Sequence, residues 1–242
     1  MRVDKIVVRT SGGVGNQLFQ LFAGYAYANK YGASIAVIHD LSYWQEHSKD
    51  KTKILDISEV DALPINRLIS RLRPLKILNK FGAQGNHIKL FNVIYLDGYY
   101  QNLEFWQENI DFLTTKVLPC VIPPKKDRII HMRLGDFFET DNDRLKFIRR
   151  RFANTDGVFD VMSNSEDLVA RVIKEKNDHK IKLLNTTQLK PDEVLFKMSE
   201  YAFIESNEST LAFWAALIGR RHLDIHNRNL ELLYNLFIDK LR

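Results

Sequence analysis

The sequence carries a single cysteine, Cys120, so no internal disulfide can form. That suits a reducing compartment. No His/Cys cluster has the spacing of a zinc site. No apolar run approaches the roughly 20 residues that a membrane-spanning helix needs; the longest is Leu211 to Ile218. The opening residues, Met1-Arg2-Val3-Asp4-Lys5, lead into a short apolar run without the h-region of a signal peptide. Low-complexity segments and internal repeats are also absent. The expectation is a cytoplasmic protein, either soluble or attached to a membrane surface.

What is present is ordinary in amount. The chain has 242 residues, 45% apolar and 27% charged, enough for one large or two small domains with proper cores. The net charge of +5, from 35 basic and 30 acidic residues, is mild. It suits an anionic small substrate, a membrane surface or a nucleic acid about equally, and no recognised nucleic-acid module is found. Two basic clusters stand out: Arg67, Arg71, Arg73, Lys76 and Lys80, then Lys146, Arg149, Arg150 and Arg151. Both read as solvated faces. The first also interleaves with Ile65, Leu68, Ile69, Leu72, Leu75 and Leu78, the pattern of a short amphipathic element on anionic lipid, broken by Pro74.

Apolar runs of strand length alternate with helical patterns. Strands are predicted at Lys5–Thr10, Ile35–His39 and Val93–Asp97, with helices over Asn16–Lys30 and Leu103–Leu113. Pro119-Cys120-Val121-Ile122-Pro123-Pro124-Lys125-Lys126 then reads as a linker, because its prolines block regular structure. Beyond it, strands are predicted at Arg128–Met132, Phe159–Met162, Ile181–Leu184 and Tyr201–Glu205. Helices are predicted at Ser165–Asn177, Pro191–Ser199, Ser209–Ile218 (closed by Gly219) and Leu230–Leu241. The alternation implies α/β architecture with two Rossmann-like domains, residues 1–122 and 123–242, facing a central cleft. Ligands of such folds bind at the carboxyl ends of strands.

Two motifs fall at those ends. Ser11-Gly12-Gly13-Val14-Gly15-Asn16-Gln17 joins the first strand to the first helix. It lacks the Lys-Ser/Thr of a P-loop, and Leu18 stands where a dinucleotide loop has its third glycine. Either it is a tight turn serving only the fold, or its helix N-terminus and the polar Asn16 and Gln17 meet a ligand. In Ile129-Ile130-His131-Met132-Arg133-Leu134-Gly135-Asp136, His131 and Arg133 share one face of the strand. Arg133 can fork onto a diphosphate, or Arg133 and Asp136 form an ordinary ion pair. Asp141-Asn142-Asp143 spells a D-x-D metal motif, a three-residue match that is frequent in polar loops.

These motifs, in this order, resemble the alpha-1,2-fucosyltransferase family (glycosyltransferase family eleven). Its G-G-x-G-N-Q-x-F-Q opening is matched by Gly12, Gly13, Gly15, Asn16, Gln17, Phe19 and Gln20, and its H-x-R-R-G-D strand end by His131, Arg133, Gly135 and Asp136. Gly98-Tyr99-Tyr100-Gln101 is similar to its G-Y-x-Q turn. Ser163-Asn164-Ser165-Glu166-Asp167 is loosely similar to its S-D-D element, and the stretch from Glu208 to Ala216 to its N-S-S-F-S-W-W-G-A segment. Leu134 replaces the family's second arginine, Glu208 an amide and Phe213 a tryptophan.

The resemblance implies a GT-B fold and an inverting, metal-independent transfer of fucose from GDP-fucose to a hydroxyl of a galactose-terminated glycan, as in lipopolysaccharide or other surface-polysaccharide synthesis. It implies an acceptor-binding N-terminal domain and a donor-binding C-terminal one. Catalytic candidates are Arg133 for the diphosphate and Asp136 or His131 as base. Substrate-binding candidates are Gly13, Gly15, Asn16, Gln17, Ser163, Ser209 and Thr210, the last two reading equally as helix caps. The partners implied are a nucleotide sugar and an oligosaccharide or glycolipid acceptor, with no nucleic acid, no metal and no cofactor. Peripheral contact with the inner face of the plasma membrane fits the same context. Two alternatives stay open: another nucleotide sugar as donor, and a non-catalytic, glycan-binding relative of the same fold.

Overall fold

The computed structural model describes residues 2–39, 86–116, 123–135 and 137–241. The first basic cluster, the linker residues Pro119 to Ile122 and the candidate Asp136 lie outside the described residues. The chain divides into two units, Met1–Pro119 with Asn235–Arg242, and Cys120–Tyr234.

The first unit is built on a four-stranded sheet ordered β2-β1-β4-β3. Strand β1 (Lys5–Thr10) pairs in parallel with β2 (Ser34–His39) and with β4 (Val93–Asp97). Strand β3 (Asn86–Leu90), which the sequence reading did not identify, pairs antiparallel with β4. Helix α1 (Val14–Tyr31) lies close on β1: a Cβ at Gly24 would overlap the Val8 and Ile35 side chains. Helix α2 (Leu103–Lys116) contributes Trp106, fully buried and edge-on to Phe105 and Phe237.

The second unit is a fully parallel five-stranded sheet, ordered β7-β6-β5-β8-β9. Its strands are β5 (Lys126–Met132), β6 (Phe159–Ser163), β7 (Ile181–Leu183), β8 (Tyr201–Ser206) and β9 (His222–Ile225). Between β5 and β6 runs helix α3 (Asp141–Ala153), and α4 (Glu166–Lys176) follows β6. Both pack on Ile130, Met132, Leu134 and Val161 through Leu145, Ile148, Phe152, Val169 and Val172. Helices α5 (Pro191–Ser199) and α6 (Thr210–Gly219) pack on each other, and α6 also on β8 and β9. Helix α6 is apolar nearly all round and buried along most of its length, as a helix enclosed by its neighbours must be. Gly219 is its last residue, but the left-handed cap is Arg220 at φ 52°. Gly219 is small because a Cβ there would meet the Ser199 carbonyl at 2.8 Å. The last helix, α7 (Arg228–Leu241), starts in the second unit and ends in the first.

In each sheet the strand order reverses direction beside the first strand. Chain progression from β1 goes to β2 on one side and returns to β4 on the other; from β5 it goes to β6 and β7, then returns to β8. Such switch points leave a crevice at the carboxyl ends of the two diverging strands. Both motifs singled out in the sequence stand there.

Candidate functional site

In the first unit the chain leaves β1 through Ser11 and Gly12, whose φ of +76° is a backbone conformation that glycine adopts without strain. Gly13 is extended and caps α1, and its carbonyl accepts from the N–H groups of Asn16 at 2.9 Å and Gln17 at 3.1 Å. The helix therefore begins at Val14, earlier than the residue pattern predicts, and Gly15, Asn16 and Gln17 form its first turn.

The polar side chains of that turn divide. Gln17 is buried, and its Nε2 donates to the Gly12 carbonyl at 2.9 Å. One turn on, buried Gln20 accepts from the Ser11 N–H at 2.9 Å. These amides hold the loop's shape from below. Asn16 is half-buried and reaches the other lip of the crevice, where its Oδ1 accepts from Gln101 Nε2 at 2.9 Å. That lip is the turn after β4. It carries Tyr99, which would lie 3.5 Å from a Cβ at Gly12, and Tyr100, which is buried at φ 52° with its carbonyl accepting from Trp106 Nε1 at 2.6 Å. The glycine loop and the Gly98–Gln101 turn, separate in sequence, thus form one polar and aromatic rim.

In the second unit β5 ends at Met132, and Arg133 is the first residue beyond it. His131 is buried on the strand, with Nδ1 3.5 Å from the Ser206 hydroxyl on the neighbouring strand. Burial, and then the charge of Arg133, lower its pKa to about 4, so the ring is neutral at physiological pH. The Arg133 guanidinium lies over the Phe137 ring, 4.9 Å from its centroid. Leu134, at the position of the family's second arginine, turns the other way into the core beside α3 and α4.

The main chain of this segment is held by two side-chain amides from adjacent strand ends. Asn207, just past β8, accepts from the Arg133 N–H at 2.9 Å and donates to the Arg133 carbonyl at 2.7 Å. Asn164, just past β6, accepts from the Leu134 N–H at 2.8 Å. The Asn207 contact sets Arg133 against the loop that enters α6. There Ser209 caps the helix by accepting from the Ala212 N–H at 3.3 Å, and Thr210 is its buried first residue. A guanidinium and a helix N-terminus at one switch point offer charge and N–H groups to an anion. Ser163 is buried at the end of β6, where its hydroxyl accepts from the Ser165 N–H at 3.1 Å.

The Asp141-Asn142-Asp143 triplet opens α3. Asp143 accepts from the Thr140 hydroxyl at 2.6 Å, and Asp141 pairs with Arg144 at 2.7 Å. Arg144 also donates to the carbonyls of Gly135 at 2.9 Å and Phe138 at 3.0 Å, tying the loop after β5 to the helix. The second basic cluster is largely engaged within the unit: Arg149 pairs with Glu175, Lys146 with Asp143, and Arg151 with buried Glu205, which also holds Arg128. Among the described residues no group of three or more His, Cys, Asp or Glu side chains is arranged to hold a metal, and no helix is long and apolar enough to cross a membrane.

No family model matches this chain, and neither does any curated protein. Solved structures do. An Arabidopsis thaliana FUT1 mutant in complex with GDP aligns over 93% of this chain and 70% of that one, with a TM-score of 0.51 at 11% identity. NodZ alpha-1,6-fucosyltransferase co-crystallised with GDP aligns over 90% and 93%, with a TM-score of 0.49 at 12% identity. POFUT1 in complex with GDP aligns over 94% and 99%, with a TM-score of 0.44 at 12% identity. At such identities the likeness is one of fold. The α/β, GT-B-type class with two Rossmann-like units, expected from the sequence, is the fold observed.

Proposed function

We propose that this chain is a glycosyltransferase that uses a GDP-activated sugar, fucose in the leading reading, and transfers it to a hydroxyl of a galactose-terminated glycan. The observation that carries the reading is the second-unit switch point, where Arg133 is held against the loop that starts α6. A departing nucleoside diphosphate needs its growing charge met by fixed donors, and a guanidinium with helix N–H groups meets it without a metal. The motif order and the GDP complex of the similar FUT1 structure agree with that assignment.

In this reading the second unit holds the donor. Arg133 forks onto the diphosphate, and Ser209 and Thr210 keep the α6 N-terminus aimed at it. Ser163 orders the neighbouring strand end. Neutral His131 orients the group beside it, since a ring with a pKa of about 4 is a weak proton acceptor at physiological pH. Asp136 is then the candidate base for the acceptor hydroxyl in an inverting displacement. The first unit holds the acceptor: Asn16 offers amide groups from the rim, while Gly13, Gly15 and Gln17 shape the loop behind it. The enzyme would work in the cytoplasm, or on the inner face of the plasma membrane, in surface-polysaccharide synthesis.

A second donor is favoured by one observation. Leu134 is buried in the core, so the segment presents one arginine where the family presents two. Another GDP sugar, or another nucleotide sugar, is therefore the competing substrate. The test is release of GDP from GDP-fucose and from GDP-mannose, with EDTA present, as galactose-terminated oligosaccharides are added. Acceptor-dependent release from GDP-fucose supports the leading reading. Release from GDP-mannose alone shifts the donor, and no turnover with either leaves another nucleotide sugar or a glycan-binding relative.

A further inference from the structure

We infer that Asn207 and Asn164 are positioning residues that latch the main chain of the Arg133–Gly135 segment across three strand ends, so that the guanidinium is aimed before ligand arrives. The inference rests on the reading above, in which Arg133 meets the donor's diphosphate.

The geometry is specific. Strand β5 ends at Met132: its ladder with β8 runs to His131 opposite Ser206, and its ladder with β6 to Met132 opposite Ser163. A main chain that leaves a sheet exposes an N–H and a carbonyl that need partners. Asn207 supplies both to the same residue, accepting from the Arg133 N–H at 2.9 Å and donating to its carbonyl at 2.7 Å. A primary amide has an acceptor and donors side by side, so this one side chain takes the place of the strand residue that would have continued the ladder. It fixes both peptide groups flanking the arginine Cα. The next N–H, of Leu134, goes to Asn164 on the other side, at 2.8 Å.

Gly135 belongs to the same device. A Cβ there would stand 2.8 Å from Asn164 Nδ2, so a larger residue would displace that amide. The result separates the side chains cleanly: Leu134 enters the core, and Arg133 stays half-buried at the crevice. The resemblance places an amide at Glu208. The structure supplies an amide one residue earlier, at Asn207, where it acts on Arg133. A charged side chain whose backbone is fixed on both sides loses less freedom when it binds, which favours affinity.

The test is a double-mutant cycle on GDP affinity, with calorimetry as the readout and urea unfolding measured in parallel. The proteins are the parent, Asn207→Ala, Arg133→Ala and the double variant. Asn207→Ala is expected to weaken GDP binding about tenfold, the equivalent of about 1.4 kcal/mol. In the Arg133→Ala background the same change is expected to have no further effect on affinity, because it acts through the arginine. Equal weakening in both backgrounds, or none in either, overturns the inference. If Asn207→Ala does not fold, Asn207→Asp is used in the same cycle, since its carboxylate still accepts from the Arg133 N–H but cannot donate to the carbonyl. Gly135→Ala, which displaces Asn164 instead, is expected to weaken GDP binding in the parent background and not in Arg133→Ala. If the parent binds no GDP, the functional reading fails. If the parent binds GDP and Arg133→Ala loses it while Asn207→Ala does not, only the latch fails.

Discussion

The Gln17 side chain, in the first turn of α1, donates back to the carbonyl of Gly12 in the loop that launches the helix. An apparent ligand-facing amide is thus part of the loop's own framework. Gln17→Ala leaves a buried carbonyl without its donor and is expected to destabilise the protein by about 1–3 kcal/mol. Gln17→Glu is expected to cost more, since a carboxylate cannot donate. Urea unfolding of both variants checks the order; equal stability of the two would contradict it.

The next expectation concerns pH. His131 has a folded-state pKa of about 4 against an ordinary 6.5. As pH falls, the unfolded chain takes up this proton first. Stability from this group is therefore complete above about 6.5, declines between 6.5 and 4, and levels off below. His131→Gln removes that titration. Its unfolding midpoint should depend less on pH than the parent's across this window. An unchanged slope would show that the ring is not buried neutral.

Glu205 is buried on β8 between Arg128 and Arg151, whose side chains remain 30% and 18% exposed. Removing the shared acid leaves two cations facing each other. Glu205→Ala is expected to destabilise the second unit by about 3 kcal/mol, the low end for breaking a buried pair because both arginines still reach water. Denaturant titration measures it. A change within about 0.5 kcal/mol, typical of surface sites, would contradict the buried-network account.

Helix α1 approaches β1 at Gly24, where a methyl group has no room beside Val8 and Ile35. Gly24→Ala gains helix propensity but must push the helix from the sheet. The net expectation is a loss of about 1–3 kcal/mol, the usual cost of overpacking. A stabilised variant, as on an exposed helix face, would show that the approach is looser than described. The readout is thermal unfolding.

The parts of the fold legible in the sequence were those with strong apolar signals. Strand β1 is Ile- and Val-rich, and α6 is almost wholly apolar, so both were found within a residue or so. Helix α3 is hidden in the sequence, because its core stripe of Leu145, Ile148 and Phe152 is set among charges that read as a basic cluster and a metal triplet. Strands β3 and β9 give no strand signal because their short runs, Asn86–Leu90 and His222–Ile225, mix polar and apolar residues and lie at sheet edges. At the candidate site, the motifs pointed to Arg133 and the glycine loop. They could not show that Gln17 turns inward or that Asn16 meets Gln101, because such pairings depend on which strand ends become neighbours. Asn207 carried no signal of its own; an amide directly after a β-strand and before a capping serine is the pattern that could have drawn attention to it.

Under the proposed function, Arg133 and the α6 N-terminus bind the diphosphate of a GDP sugar without metal. Calorimetric titration of the parent and Arg133→Ala with GDP-fucose, GDP, UDP and UDP-glucose, in EDTA and then with manganese, tests it most directly. The expected result is binding of GDP and GDP-fucose in EDTA, with affinity falling at least tenfold in Arg133→Ala, about 1.4 kcal/mol or more. A preference for the uridine ligands, a strict need for manganese, or undiminished GDP binding by Arg133→Ala would contradict it.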